Sequence, residues 1–369
     1  TESSAASDVY KRQVLPGRAA GAVRLATARA SVSVLQQAAA ALLDGWQIQA
    51  GLQPLGEGLI NDTFLAEVPD SQARRWVLQR INADVFPDPG LVMDNVARVV
   101  RHVRRTHPDL VAGLVTTADD ADFFVDADGD CWRLWDYVAH AETLQAFATP
   151  GQAQSAGQTF ARLHNALADL PGPRLRTPIP GFMQMSHYLA ALDSELGRQR
   201  TLEREAQNAS AFIAERGALA EEFQRPTGYV HGDCKVNNLL FRNNQACCVL
   251  DLDTVMYGHW GLDFGDLVRS GADVGGRFSL ALYEALVRGF VNELSMPTDA
   301  QTLLLAPRHV GLMLGVRFLS DHLAGDRYFR VGQHGDNLTR ALAQLDLVGQ
   351  MEASAVDMRD ILVAVGISM

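Results

Sequence analysis

Y-V-H-G-D-C-K-V-N-N-L-L-F at 229–241, C-C-V-L-D-L-D-T at 247–254 and G-L-D-F-G-D-L-V-R at 261–269 are the runs whose reading decides the fold. Two apolar runs, 239–241 and 247–250, flank the polar residues 242–245. That is the pattern of a short hairpin with both strands half buried. Ahead of the first strand a polar loop holds His231, Asp233, Lys235 and Asn238; after the second come Asp251 and Asp253. Pairing the strands brings the two carboxylate groups together.

This grouping suits phosphoryl transfer. The reaction needs a carboxylate to receive a hydroxyl proton, an amide and a second carboxylate to hold magnesium on the phosphates, and a cation for the moving charge. Asp233, Lys235 and Asn238 keep the D-x-K-x-x-N spacing of a kinase catalytic loop, and Asp251 lies 18 residues beyond Asp233, where a metal-binding Asp would fall. Asp233 is the expected base, Asn238 and Asp251 the magnesium ligands, and Lys235 the stabiliser of the transferring group. Asp253 either holds a second metal or caps the turn; His231 and Asp266 are expected to fix the loop. Asp is common at strand ends for turn reasons alone, which accounts for each carboxylate separately but not for their shared spacing.

H-G-D-x-x-x-x-N, then hydrophobic-D, then D-L, resembles the aminoglycoside phosphotransferase and choline kinase family. I-N-D-T-F at 60–64, V-L-Q-R-I-N-x-x-V-F-P-D at 77–88, D-F-G-D at 263–266 and R-F-L-x-D-x-L-x-G-D-x-Y-F at 317–329 are similar to its bacterial N-acetylhexosamine 1-kinase branch. The likeness runs from about residue 52 onward. It implies an α+β, two-lobed protein-kinase-like fold: a small N-terminal lobe with an antiparallel sheet and a larger, mainly helical C-terminal lobe. It also implies ATP and Mg2+ as cofactors and a sugar hydroxyl as acceptor, most closely the anomeric one. Aminoglycoside, choline and homoserine acceptors stay open, as does a nucleotide-binding pseudokinase. Asp233, Arg317, Asp321 and Tyr328 are the acceptor-binding residues so implied; an ordinary Arg317–Asp321 ion pair four residues apart is the alternative.

In the phosphate region, L-G-E-G-L-I-N-D-T at 55–63 supplies Gly56 and Gly58 for a tight turn that could lie over phosphates. The resemblance adds Asn61 and Thr63. The family's usual phosphate lysine is replaced by Gln79, followed by Arg80 as a substitute cation. Strand alternation sends those two side chains to opposite faces, so only one can serve the nucleotide.

The 369 residues, 47% of them hydrophobic, suffice for two lobes, and a net charge of −11 without a basic block argues against nucleic-acid binding. Cys131, Cys234, Cys247 and Cys248 lack metal-ligand spacing and read as reduced thiols of a cytoplasmic protein. No run approaches the ~18 apolar residues of a membrane span, so a soluble protein is expected. The oligomeric state is not encoded here.

Along the chain, residues 1–45 read as an N-terminal extension whose Ala-rich part is either a surface helix or a transit-type segment. Residues 46–139 form the nucleotide lobe, with strands at 48–55, 63–68 and 76–81, a helix at 91–105, and a hairpin turning at Asp128-Gly129. Residues 140–369 form the catalytic and substrate lobe, with helices at 152–167, within 188–223, and at 278–294 and 303–323. His164 on the first of these is expected to be a hydrogen-bonded structural histidine.

Overall fold

The computed structural model describes residues 32–55, 60–68 and 74–368, which divide into two compact units, 32–140 and 141–368. Gly56 and Gly58, and most of the N-terminal extension, lie outside the described residues.

The smaller unit is built on an antiparallel sheet. Strands β1 (Gly51–Pro54), β2 (Asp62–Glu67) and β3 (Arg75–Arg80) run as a meander, and β6 (Cys131–Asp136) pairs with β3 on its far side. Short β4 (Leu114–Val115) and β5 (Phe124–Val125) both pair with β6. The β5–β6 turn is organised by Asp126, whose Oδ1 accepts from the backbone N–H of Asp128 and Asp130. Helix α2 (Pro89–Arg104) starts at Asp88, whose Oδ1 accepts from Leu91 N at 2.9 Å. Val92, Val96, Val99 and Val103 are buried on one stripe of it.

Helix α1 (Val32–Trp46), expected as either a surface helix or a transit-type segment, is a helix with one face packed on this sheet and the other exposed. Ala38, Ala41, Leu42 and Trp46 form one buried cluster with Phe64, Ala66, Leu78, Trp132 and Leu134 of the sheet. The Trp46 indole N–H donates to Val115 O at 2.8 Å. Small alanines let the helix lie close on the strands, so it completes the smaller unit's core.

The larger unit is mainly helical. Helix α3 (Pro150–Leu167) opens with a capping box, Thr149 and Gln152 each bonding the other's backbone N–H. The hairpin β9 (Leu239–Arg242) and β10 (Gln245–Val249) lies against α3, where Ser155 Oγ accepts from Ala246 N and Thr159 Oγ1 donates to Ala246 O. Strand β7 (Glu142–Thr143) pairs on the edge of β9. A second ribbon, β8 (Gly228–Val230) with β11 (Met256–Gly258), brackets the loop that carries Asp233.

Helices α4 (Met185–Arg198), α5 (Arg204–Ala214), α6 (Trp260–Gly271), α7 (Leu280–Glu293), α8 (Ala300–Leu323), α9 (Asp336–Ala353) and α10 (Ala355–Ala364) complete this unit. α8 is, by length and composition, the one described helix able to cross a membrane, contrary to the sequence expectation. However, 89% of its apolar window is buried inside the structure, as in a core helix.

α3 and α7 meet backbone to backbone. A Cβ on Gly289 would lie 2.0 Å from Gln154 O, and one on Gly157 would lie 2.6 Å from Leu286 O. Gly289→Ala is therefore expected to force the helices apart and cost on the order of 3 kcal/mol, read as a lower urea midpoint. A midpoint equal to that of the unchanged chain would contradict this packing.

Candidate active site

The loop between β8 and β9 holds the predicted catalytic residues at one point. Asp233 is fully buried, and its Oδ2 lies 3.3 Å from Lys235 Nζ and 2.9 Å from Asn238 Nδ2. The same amide also donates to Asp233 O at 2.8 Å. With Nδ2 engaged on Asp233, the amide oxygen is the donor atom that Asn238 would offer a cation. Backbone bonds Lys235 N to Asp233 O and Asn238 N to Lys235 O tighten the loop into a single turn.

The loop is tied to the far end of the hairpin through Leu250. Leu250 N donates to Asn238 O at 2.8 Å, and Leu250 O lies 2.8 Å from His231 Nε2. Asp251 follows immediately, in the left-handed region at φ 61°, ψ 60°. A non-glycine residue there costs roughly 1–2 kcal/mol; such strain clusters at working sites. Asn238, Asp251 and Asp253 carry an amide oxygen and two carboxylates, hard oxygen donors of the kind that magnesium or calcium takes.

His231 braces this turn. Its Nδ1 accepts from Asp233 N at 3.2 Å, so Nε2 carries the proton that goes to Leu250 O. Gly232, at φ +81°, has no room for a side chain: a Cβ would lie 2.8 Å from Thr254 O. Thr254 Oγ1 donates to His231 O at 2.9 Å.

The carboxylate that fixes this loop is Asp263 rather than the expected Asp266. Asp263 sits in the first turn of α6, and its two oxygens accept from His231 N at 2.7 Å and Gly232 N at 2.8 Å. His164 Nε2 stands 3.1 Å from Asp263 Oδ2, which gives that buried histidine its structural role. Burial alone would raise the Asp263 pKa, but the hydrogen bond and charge of His164, with His231, outweigh it and hold the carboxyl below its ordinary range. Asp266, one turn further on, pairs instead with Arg269 at 2.7 Å. Its pKa is raised by burial, with the Asp233 charge adding to the effect against Arg269. Cys234, also fully buried, has its thiol pushed well up by burial and the surrounding carboxylates, so it is an inert thiol.

In the smaller unit, Asn61, Thr63 and Gln79 form a second polar group. Asn61 Oδ1 accepts from Asn82 N at 3.0 Å, and Gln79 Nε2 donates to Thr63 Oγ1 at 3.2 Å. Gln79 Oε1 accepts from Arg133 Nε at 3.0 Å and from Trp135 Nε1 at 2.8 Å. Arg133 is directly opposite Gln79 in the β3–β6 register, buried, with its guanidinium 5.1 Å from the Trp135 ring. Arg80 faces the other way, ion-paired to Asp62 and to Asp130 at 2.7 Å. It also reaches Gln37 of α1, so the substitute cation named from sequence is engaged on the α1 face of the sheet. Sequence reading passed over Arg133 because β3 and β6 are far apart in the chain.

The third group lies at the end of α8. Arg317 is buried among Tyr188, Phe329 and Tyr328, 4.9, 5.5 and 5.9 Å from their ring centres, and donates to Tyr328 OH at 3.4 Å. Asp321 has a different task from the acceptor contact or ion pair expected of it. Its Oδ1 accepts from the N–H of Arg327 and Tyr328, and its Oδ2 from Phe329 N and Asn337 Nδ2. Three of these bonds hold the loop after α8, and the fourth ties α8 to the first turn of α9. Burial nonetheless pushes its pKa up to about 6.

The family model described as "Phosphotransferase enzyme family" matches residues 51–295, and the chain belongs to that family. It is a phosphotransferase acting on alcohol groups of small molecules. Among solved structures it is similar to an aminoglycoside phosphotransferase from Alicyclobacillus acidocaldarius, at TM-score 0.61 and 17% identity over 92% of this chain and 100% of that one. A choline/ethanolamine kinase family protein from Mesorhizobium loti matches at TM-score 0.56 and 19% identity, over 90% and 98% of the two chains. An amicoumacin kinase in complex with AMP-PNP, Ca2+ and Ami matches at TM-score 0.59 and 13% identity, over 86% and 94%. At these identities the three likenesses establish the fold, a sheet-based N-terminal lobe and a mainly helical C-terminal lobe.

Proposed function

We propose that the protein transfers the γ-phosphate of ATP, with Mg2+, to a hydroxyl of a neutral sugar, most closely the anomeric hydroxyl of an N-acetylhexosamine or hexose. The observation that carries the transfer reading is the contact of Lys235 and Asn238 with the same oxygen of Asp233. Asp233 takes the acceptor proton as the hydroxyl attacks phosphorus in line, and the P–O bond to ADP breaks. Lys235 neutralises charge on the moving group. Magnesium, held by Asn238 and Asp251, would neutralise charge on the phosphates. The AMP-PNP bound in the amicoumacin kinase supports a nucleotide donor.

The neutral acceptor is supported by the end of α8. A cationic acceptor needs available carboxylates, yet Asp321 is surrounded by four N–H donors, and the side chain set among Tyr188, Tyr328 and Phe329 is the guanidinium of Arg317. Arg317 and Tyr328 offer instead hydrogen bonds that suit hydroxyl or acetamido oxygens. A panel of N-acetylhexosamines, hexoses, aminoglycosides, choline and homoserine with ATP and Mg2+ tests this. Transfer to the amines in preference to the sugars would replace the sugar reading.

Arg133 takes the charge role of the absent phosphate lysine in this reading, supported by its bond to Gln79 at the position where that lysine is expected. A charge-assisted hydrogen bond contributes about 1.5–3 kcal/mol. Arg133→Met is therefore expected to raise the KM for ATP roughly 10- to 100-fold, while Arg80→Ala leaves it unchanged. The reverse pattern would assign the role to Arg80.

A further inference from the structure

We propose that His322, Asp326 and His334 form a binding site for a divalent transition-metal ion of the zinc type, separate from the phosphotransfer centre. One ring nitrogen of each histidine and one carboxylate oxygen of Asp326 all lie within 4.8 Å of one another. The two imidazole rings stack at 5.1 Å with 23° between their planes. His334 Nδ1 is 2.8 Å from Asp326 Oδ2.

The buried member of the set is what points to a ligand. His322, at 6% exposure, has its Nε2 2.5 Å from Glu203 Oε1, while its Nδ1 is buried with no hydrogen-bond partner among the described residues. A buried ring nitrogen without a partner is costly. A carboxylate on the opposite nitrogen is the arrangement that orients a metal-bound histidine and raises its basicity. Two imidazoles and one carboxylate suit zinc more than magnesium or calcium, which prefer all-oxygen sets. Bonds of about 2.0–2.1 Å put tetrahedral ligand atoms about 3.3 Å apart, so binding draws the three groups inward. His334, the exposed member on the loop before α9, is the side chain with room to move.

The backbone already presents Asp326 to this point. It adopts φ 56°, its N–H donates to Asp321 O at 2.8 Å, and Asn337 Nδ2 donates to its Oδ1 at 2.9 Å. Since Asn337 also bonds Asp321, a bound ion would lock the loop beside Tyr328 onto the end of α8.

The test is calorimetric titration of zinc sulfate into the full chain, freed of any polyhistidine tag, stripped with chelator and kept in excess magnesium to fill the hard-oxygen site. One zinc per chain is expected. His334→Ala, at an exposed position where folding is not at stake, should lower the affinity at least 10-fold, and Glu203→Gln 10- to 100-fold. Cobalt in place of zinc should give a nitrogen–oxygen spectrum without the thiolate charge-transfer band that the four cysteines would produce. Absence of zinc binding, equal affinity in His334→Ala, or a thiolate band would each overturn the proposal. None of these readouts depends on phosphoryl transfer.

Discussion

Asp233→Asn is expected to lower kcat by about 10²–10⁴ while the KM for ATP stays within about two-fold. The amide keeps the size and a carbonyl acceptor of the original side chain but cannot take a proton from the acceptor hydroxyl. Asn238 donates to Asp233 O as well as to Oδ2, so one of its two bonds to residue 233 survives the change. The loop geometry therefore persists, and loss of rate with retained nucleotide affinity separates a base from a structural carboxylate. Circular dichroism of the variant checks the fold. A kcat within a few-fold of the unchanged enzyme would remove Asp233 from the base role.

Asp263→Ala is expected to damage both stability and rate. It strips the acceptors from two buried N–H groups, those of His231 and Gly232, and the partner from His164. At about 1–3 kcal/mol for each orphaned donor, the loss is on the order of 4 kcal/mol. The same bonds hold Gly232 at φ +81° and deliver Asp233 to Lys235, so the folded fraction should also turn over slowly. Asp263→Asn keeps one acceptor and should recover part of the stability.

The pH dependence follows from the sign of the shift. Asp263 has a folded-state pKa below that of the unfolded chain, so its stabilisation is full above the ordinary carboxylate pKa of roughly 4. It fades as pH falls through the lower folded value. The stability gap between wild type and Asp263→Asn, measured by urea unfolding, should therefore be constant near neutrality and shrink in acid. A gap that widened as pH fell from about 4 would contradict the assignment.

The hairpin and its loaded ends were legible because their signals are local. Apolar runs on either side of Arg242–Gln245 and a fixed Asp–Lys–Asn spacing need no long-range pairing to be read. Asp263 and Asp266 could not be told apart, since both lie on the same helix within one turn and only its seating against residues 231–232 decides which reaches the loop. Arg133 was hidden for a related reason: its partner Gln79 is 54 residues away, and strand register alone places them side by side. The role of α1 was missed because an alanine-rich face has weak amphipathic contrast, although Ala38 and Leu42 are as buried as the strands they cover. Asp321 misled through its i,i+4 relation to Arg317, whereas the N–H groups of residues 327–329 claim its carboxylate.

The central claim, that the Asp233 centre moves phosphate onto a sugar hydroxyl, is tested most directly by phosphorus NMR of the protein incubated with ATP, Mg2+ and N-acetylhexosamines. The account predicts ADP together with a new sugar phosphate ester coupled to the anomeric proton, absent with Asp233→Asn. ATP that binds yet gives no phosphate ester with any alcohol in the panel would contradict it.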